Sequence, residues 1–200
     1  MLGSGDEPTG MAGDTHKKGE NLSPSDPLVL LISAFRISRT DRRLHMNYWL
    51  MKSEPDECSI DAALTASKQT VPWTGVRNYM ARNYMRDSMK VGDGVFFYHS
   101  SCPEPGIAGI AEVASAAYPD ATQFDKKSKY YDPASKKNNP RWLHVDIRAR
   151  QKTRLIPLAE LREQKALVES MIILRRGNRL SITPVSAAEW NFITRKLLKA

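Results

Sequence analysis

Residues 48–55 read Tyr48-Trp49-Leu50-Met51-Lys52-Ser53-Glu54-Pro55. The first four are strand-favouring side chains, and Pro55, which has no ladder donor, breaks the strand. A strand that stops at a sharp break exposes its last side chains at the rim of a fold. Lys52 can then meet an anion, and Ser53 and Glu54 can hydrogen-bond a ligand edge. Taken alone, a polar turn explains these residues as well.

Downstream, the pattern stays regular. Ser59 can cap a short helix from Ile60 to about Ser67. Val71-Pro72-Trp73-Thr74-Gly75 reads as a loop or sheet edge. Asn78 can cap a helix reaching about Met89, with Met80, Ala81, Tyr84, Met85 and Met89 at helical spacing. Val91-Gly92-Asp93-Gly94 is turn chemistry. Val95 to His99 and Ile107 to about Tyr118 read as strands. Residues 119–140 form a polar, proline-punctuated stretch too long for an idle loop in a compact domain. Trp142 to Arg148 alternates like a half-buried strand, and Pro157 opens a helix to about Glu163. A short helix follows over Ala166 to Met171. Leu180 to Val185 alternates again, and Ser186-Ala187-Ala188-Glu189 is a capping box before a helix that buries Trp190, Ile193 and Leu197. Strands do not alternate strictly with long crossover helices, so the expected class is α+β, a small mixed barrel decorated by short helices, rather than a doubly wound sheet.

The chain has 200 residues and a formal charge of +8. Residues 1–46 hold six basic and six acidic side chains, so the whole excess lies beyond them. A basic domain attracts polyanions by counterion release. Residues 1–46 begin with Gly, Ser, Asp, Pro and Thr and are expected to be a disordered extension. The reading adopted is that translation starts at Met46; the alternative is an anchor or targeting arm. The apolar run Pro27 to Phe35 is too short to span a bilayer. Two cysteines, Cys58 and Cys102, make no disulfide framework, and His16, His45, His99 and His144 are scattered, so neither metal nor cofactor is expected. The protein is expected to be intracellular and monomeric, with no membrane partner.

No GxSxG, Walker, HExxH or dinucleotide fingerprint occurs. Two further clusters carry chemistry. In Trp73-Thr74-Gly75-Val76-Arg77-Asn78-Tyr79, the indole offers a stacking face worth about 1–3 kcal/mol per base. Gly75 lets a planar group approach the backbone, and the helix start offers N–H groups to an oxygen. Core filling is an equal explanation of Trp73, and Asn78 can cap the helix or read an amide-like edge. In Phe96-Phe97-Tyr98-His99-Ser100-Ser101-Cys102, the Phe residues belong to the core, while His99 and Ser100 close the strand where they can face a pocket.

The segments YWLMKSEP, WTGVRNYMARNYMR, GDGVFFYHSSCPEPGIAGIAEV, AYPDATQFDKKSKYYDP, PRW and ILRRGNRLSITPV resemble the EVE family in that family's order. They cover nearly all of residues 47–198, giving an expected domain over 47–200. The resemblance implies a PUA-like pseudo-barrel, related to YTH and ASCH domains, that reads a modified base in DNA or RNA without catalysis. It implies a pocket lined by Lys52, Ser53, Trp73, Val76, Asn78 and His99. Glu54, Gly75, Arg77, Tyr79, Ser100, Tyr130 and Tyr131 are expected at its mouth, and Lys52, Arg77, Arg175 and Arg176 on phosphates. The Ser100-Ser101 step stands where many relatives show Ser-Asn. Localisation follows the source, cytoplasmic in a bacterium and nuclear in a eukaryote. Two alternatives stand beside the reader: a hydrolase using His99 with Glu54 or Cys102, and a protein-interaction module built on the Tyr130-Tyr131 loop.

Overall fold

The computed structural model describes residues 46–168 and 170–199. The expected extension, residues 1–46, lies outside the described residues except for Met46.

Eight strands follow in chain order: β1 (Tyr48–Ser53), β2 (Thr70–Pro72), β3 (Gly94–His99), β4 (Gly106–Val113), β5 (Tyr118–Pro119), β6 (Leu143–His144), β7 (Asp146–Pro157) and β8 (Ile182–Val185). Six of them form one sheet in the order β2-β7-β4-β3-β1-β8, and β5 pairs with β6 apart from it. The β1–β3 pair is parallel and the other pairs of the large sheet are antiparallel. Register shifts between Phe97 and Tyr98, and at two points along the β4–β7 ladder, bend the strands.

Both faces of the sheet are buried. Trp49, Met51, Val95, Phe97, Ala111 and Ile147 point to one side. There they meet α1 (Ile60–Thr65) and α2 (Tyr79–Asn83), which continues through Ser88 as a wider turn. Leu50, Phe96, Tyr98, Ile107 and Ile156 point to the other side, under Leu161, Leu167, Ile193 and Leu197. Strands sandwiched in this way need apolar side chains on both faces, which is why residues 48–51 and 95–98 show apolar runs instead of alternation. The second layer comprises α3 (Leu158–Glu163), α4 (Lys165–Val168) and α5 (Ala187–Phe192), which continues as a wider turn to Leu197. The architecture is the expected α+β one, a mostly antiparallel mixed sheet with short helices around it.

The expected caps form. Ser59 accepts from the Ala62 N–H, Asn78 from Met80 and Ala81, and Ser186 and Glu189 make the reciprocal capping box. Three local expectations are corrected. The fourth strand stops at Val113, because residues 114–117 turn away before the short β5. Strand β7 runs on to Pro157, well past Arg148. Its Arg150 and Lys152 are exposed and pair with Glu112 and Asp61, so these charges decorate a strand over residues to which the sequence pattern assigns no element. Met80 leaves the apolar face of α2 and is 52% exposed.

Candidate functional site

A cleft of about 740 Å³ opens between the two edges of the sheet. One wall is the chain from β2 into α2, including Val71, Trp73, Gly75 and Val76. The opposite wall is Arg179 and Ser181, which lead into β8. The end of β1, from Lys52 to Glu54, lies between them. The backbone carries this arrangement: the Lys52 N–H donates to Ser181 O at 2.8 Å, and the Trp73 N–H to Val145 O at 2.9 Å. The size is that of a small-molecule site.

Trp73 is 6% exposed and meets Phe97 edge-on, with centroids 5.0 Å apart. It therefore fills core and lines the cleft at once. Gly75 has φ +82, a conformation that favours glycine. The planar group that approaches it is the Tyr130 ring, and a Cβ on Gly75 would lie 2.6 Å from Tyr130 Cζ. Tyr130 Oη donates to the Glu57 carboxylate at 2.8 Å, and Lys129 also pairs with Glu57.

Arg77 fastens this wall. Its Nε and Nη2 donate to Tyr130 O, Nη2 also to Thr122 Oγ1, and Nη1 to Val76 O and Asp120 Oδ2. A guanidinium has five N–H groups, and here all five are occupied. Arg77 thus has all of its donors engaged within the protein in this arrangement, where the sequence analysis expects it on a phosphate. Asp120 is fully buried and also accepts from the Gly75 N–H at 3.0 Å and from Thr122. Burial opposes ionisation of Asp120, but the hydrogen bonds from Thr122, Arg77 and Gly75 outweigh it and hold the carboxyl below its usual value.

The loop that delivers Tyr130 is anchored from within. Gln123 is buried, donating to Asp120 O and Trp142 O and accepting from the Trp142 N–H. Trp142 Nε1 donates to Asp132 at 2.7 Å. Residues 119–140 are a docked loop, as their length implied.

Lys52, Ser53, Trp73, Val76 and Asn78 all line the cleft, and so do Glu54, Gly75, Arg77, Ser100 and Tyr130. Burial pushes the Lys52 amine down, and Lys52 forms no ion pair among the described residues. Ser53 Oγ donates to Cys58 O at 2.8 Å, leaving it an acceptor toward the cleft. Asn78 caps α2 with Oδ1, so that oxygen and the N–H groups of Met80 and Ala81 are taken. His99 lies outside the lining, and its Nε2 accepts the Ile60 N–H at 3.1 Å. Burial lowers its pKa, with Asp61 working weakly against this. Tyr79 also lies outside, stacked on Trp142 at 4.9 Å beneath Arg82 at 4.8 Å. Tyr131, Arg175 and Arg176 are exposed beyond the lining. The sequence reading missed Glu57, Ser101, Arg179 and Ser181, which line the cleft, and Asp120 behind it. Burial pushes the half-buried Cys58 thiol up, away from the thiolate a nucleophile needs. Among the described residues no cluster of His, Cys, Asp and Glu could hold a metal ion, and no helix is long and apolar enough to cross a membrane.

The fold and the cleft define a small α+β binding domain of the PUA-like class. Residues 47–196 match the EVE domain model, and the chain belongs to the EVE family. It is similar to human thymocyte nuclear protein 1, at 45% identity over 74% of this chain and 72% of that protein. A crystal structure from Pseudomonas putida superposes with a TM-score of 0.70 at 48% identity, covering 74% of this chain and 97% of that one. The crystal structure of the human THYN1 protein in complex with 5-methylcytosine containing DNA also gives a TM-score of 0.70, at 43% identity, covering 74% of this chain and 96% of that one.

Proposed function

We propose that the domain is a nucleic-acid reader that holds a modified base in the cleft, against Trp73. The reading rests on one observation: this open cleft, with Trp73 among its lining residues, belongs to a chain whose human relative was crystallised with 5-methylcytosine containing DNA. The base stacks or edges onto Trp73 and meets polar groups at Ser53, Ser100 and the Asn78 amide nitrogen. Lys52 and Arg179 supply positive charge for the backbone. Burying one methyl group contributes about 0.8 kcal/mol, roughly a fourfold preference. Larger selectivity needs shape and hydrogen bonds to add to it. A nuclear site of action in a eukaryote follows from such a role.

A hydrolase that used His99 Nε2 as its base would have to give up the hydrogen bond which that nitrogen accepts from the Ile60 N–H. The test is titration of the protein with matched oligonucleotides carrying cytosine or 5-methylcytosine, as single strands and duplexes, at two salt concentrations. A preference of fourfold or more for the methylated oligonucleotide, maintained at the higher salt, supports the reader. Equal, salt-sensitive binding to all of them overturns it.

A further inference from the structure

Positive charge is distributed unequally over the domain. On strand β7 the cations are paired: Arg148 and Arg150 share Glu112, Lys152 meets Asp61, and Arg154 meets Glu160. On the loop that carries Tyr130, Lys126, Lys127, Lys136 and Lys137 are exposed and make no ion pair among the described residues. The carboxylates nearest in sequence do not neutralise them. Asp125 accepts the Lys127 backbone N–H at 2.9 Å, and Asp132 is engaged by Trp142 and Arg141. Residues 121–140 hold five lysines against two aspartates.

This loop is also held in place. The Tyr130 carbonyl is bound by Arg77, its hydroxyl by Glu57, and the loop's base is tied by Gln123 and Trp142. The lysines are therefore carried by a fixed loop that contributes Tyr130 to the cleft, while they themselves lie outside its lining. Across the cleft, Arg179 on the β8 side is likewise unpaired among the described residues. We infer that the loop of residues 121–140 is a phosphate-contacting rim, on which Lys126, Lys127, Lys136 and Lys137 track the backbone of the nucleic acid whose base enters the cleft. The inference rests on the reading of the cleft as a nucleic-acid site and adds the surface that holds the polymer. Phosphate contacts of this kind position a ligand without reading sequence.

The test compares the intact chain with a quadruple variant, Lys126→Gln, Lys127→Gln, Lys136→Gln and Lys137→Gln. A control, Arg150→Gln with Lys152→Gln, removes charge where carboxylates already balance it. Affinity for a methylated duplex and its unmethylated match is measured over a salt series, with thermal melts to verify folding. Removing one lysine–phosphate pairing lowers the log–log salt slope by about 0.9, so the quadruple variant is expected to drop by about 2–4 in slope. Its preference for the methylated base stays unchanged. An unchanged slope overturns the rim even where the methyl preference is present, leaving the reader intact. An equal drop per charge in the control also overturns it, since net charge alone then accounts for the effect. A reduced slope in a protein that shows no methyl preference keeps the rim and removes the base reader.

Discussion

The Tyr130 ring lies directly over Gly75, so close that a side chain on Gly75 and the ring cannot both keep their places. A tyrosine more than fifty residues away thus forms part of the cleft because one backbone position lacks a Cβ. Tyr130 in turn is fixed by Glu57 through its hydroxyl and by Arg77 through its carbonyl.

Gly75→Ala is expected to destabilise the domain by about 1–2 kcal/mol through its left-handed backbone alone, and by more through the clash. Adding Tyr130→Ala relieves the clash, so the double variant loses less than the sum of the two single losses. Urea unfolding of the four proteins measures this, and strict additivity argues against the coupling.

Arg77→Ala leaves the fully buried Asp120 carboxylate without its cation. Removing one partner of a buried pair costs about 3–5 kcal/mol. Arg77→Lys retains charge but not the five-point geometry, and is expected to recover only part of that loss. If Arg77→Ala melts within a degree of the parent, the clamp is not structural.

Trp73→Ala removes a side chain that is 6% exposed, with an expected loss of about 3–5 kcal/mol. This variant therefore tests the fold before it tests binding. Trp73→Phe keeps an aromatic face at lower cost and is the informative substitution: weaker binding of a methylated oligonucleotide with an intact melting transition places Trp73 at the ligand, and unchanged binding removes it.

Acid stability should fall in two stages. His144 is 4% exposed, and both ring nitrogens lack hydrogen-bond partners among the described residues. Burial lowers its pKa against the pull of Asp120 and Asp146. The unfolded chain therefore binds this proton first, so stability is complete above about pH 6.5 and declines as pH falls below it. His99 shifts in the same direction. The depressed Asp120 carboxyl adds a second loss as pH falls below about 3.9. His144→Phe should flatten the upper stage in a denaturant series across pH, and an unaltered profile rules His144 out as its source.

Ser101 takes φ +53 at the cleft. Asparagine tolerates that conformation better than serine. Ser101→Asn is expected to raise stability by up to about 1 kcal/mol in urea unfolding, and a loss contradicts the strain argument.

Much of this site can be read in the sequence because local breaks mark it. Pro55 ends β1 beside Lys52 and Ser53, and Gly75 and the Asn78 cap frame Trp73. What sequence order conceals is partner choice across long separations. An arginine beside Trp73 suits a phosphate or an aspartate equally well, and Asp120, 43 residues away, decides for the aspartate. His99 and Ser53 end paired strands side by side, yet the imidazole turns to the Ile60 amide while Ser53 lines the cleft. Arg179 joins the cleft only through the pairing of β1 with the chain at Ser181, which no local pattern announces. The second half of β7 is hidden for a different reason: its charges at Arg150 and Lys152 find acids on neighbouring elements instead of forming an apolar face.

The pairing of β1 with β8 also sets the order in which the domain is completed on the ribosome. A nascent chain that has emerged only as far as Pro157 already holds β2, β7, β4, β3 and β1, but the outer side of β1 from Tyr48 to Met51 has no neighbour. That bare strand is a template for a stray segment of another chain until Ile182 to Val185 arrive to cover it. The same arrival brings Arg179 and Ser181 to the cleft, so completion of the cleft and cover of β1 come in a single late step.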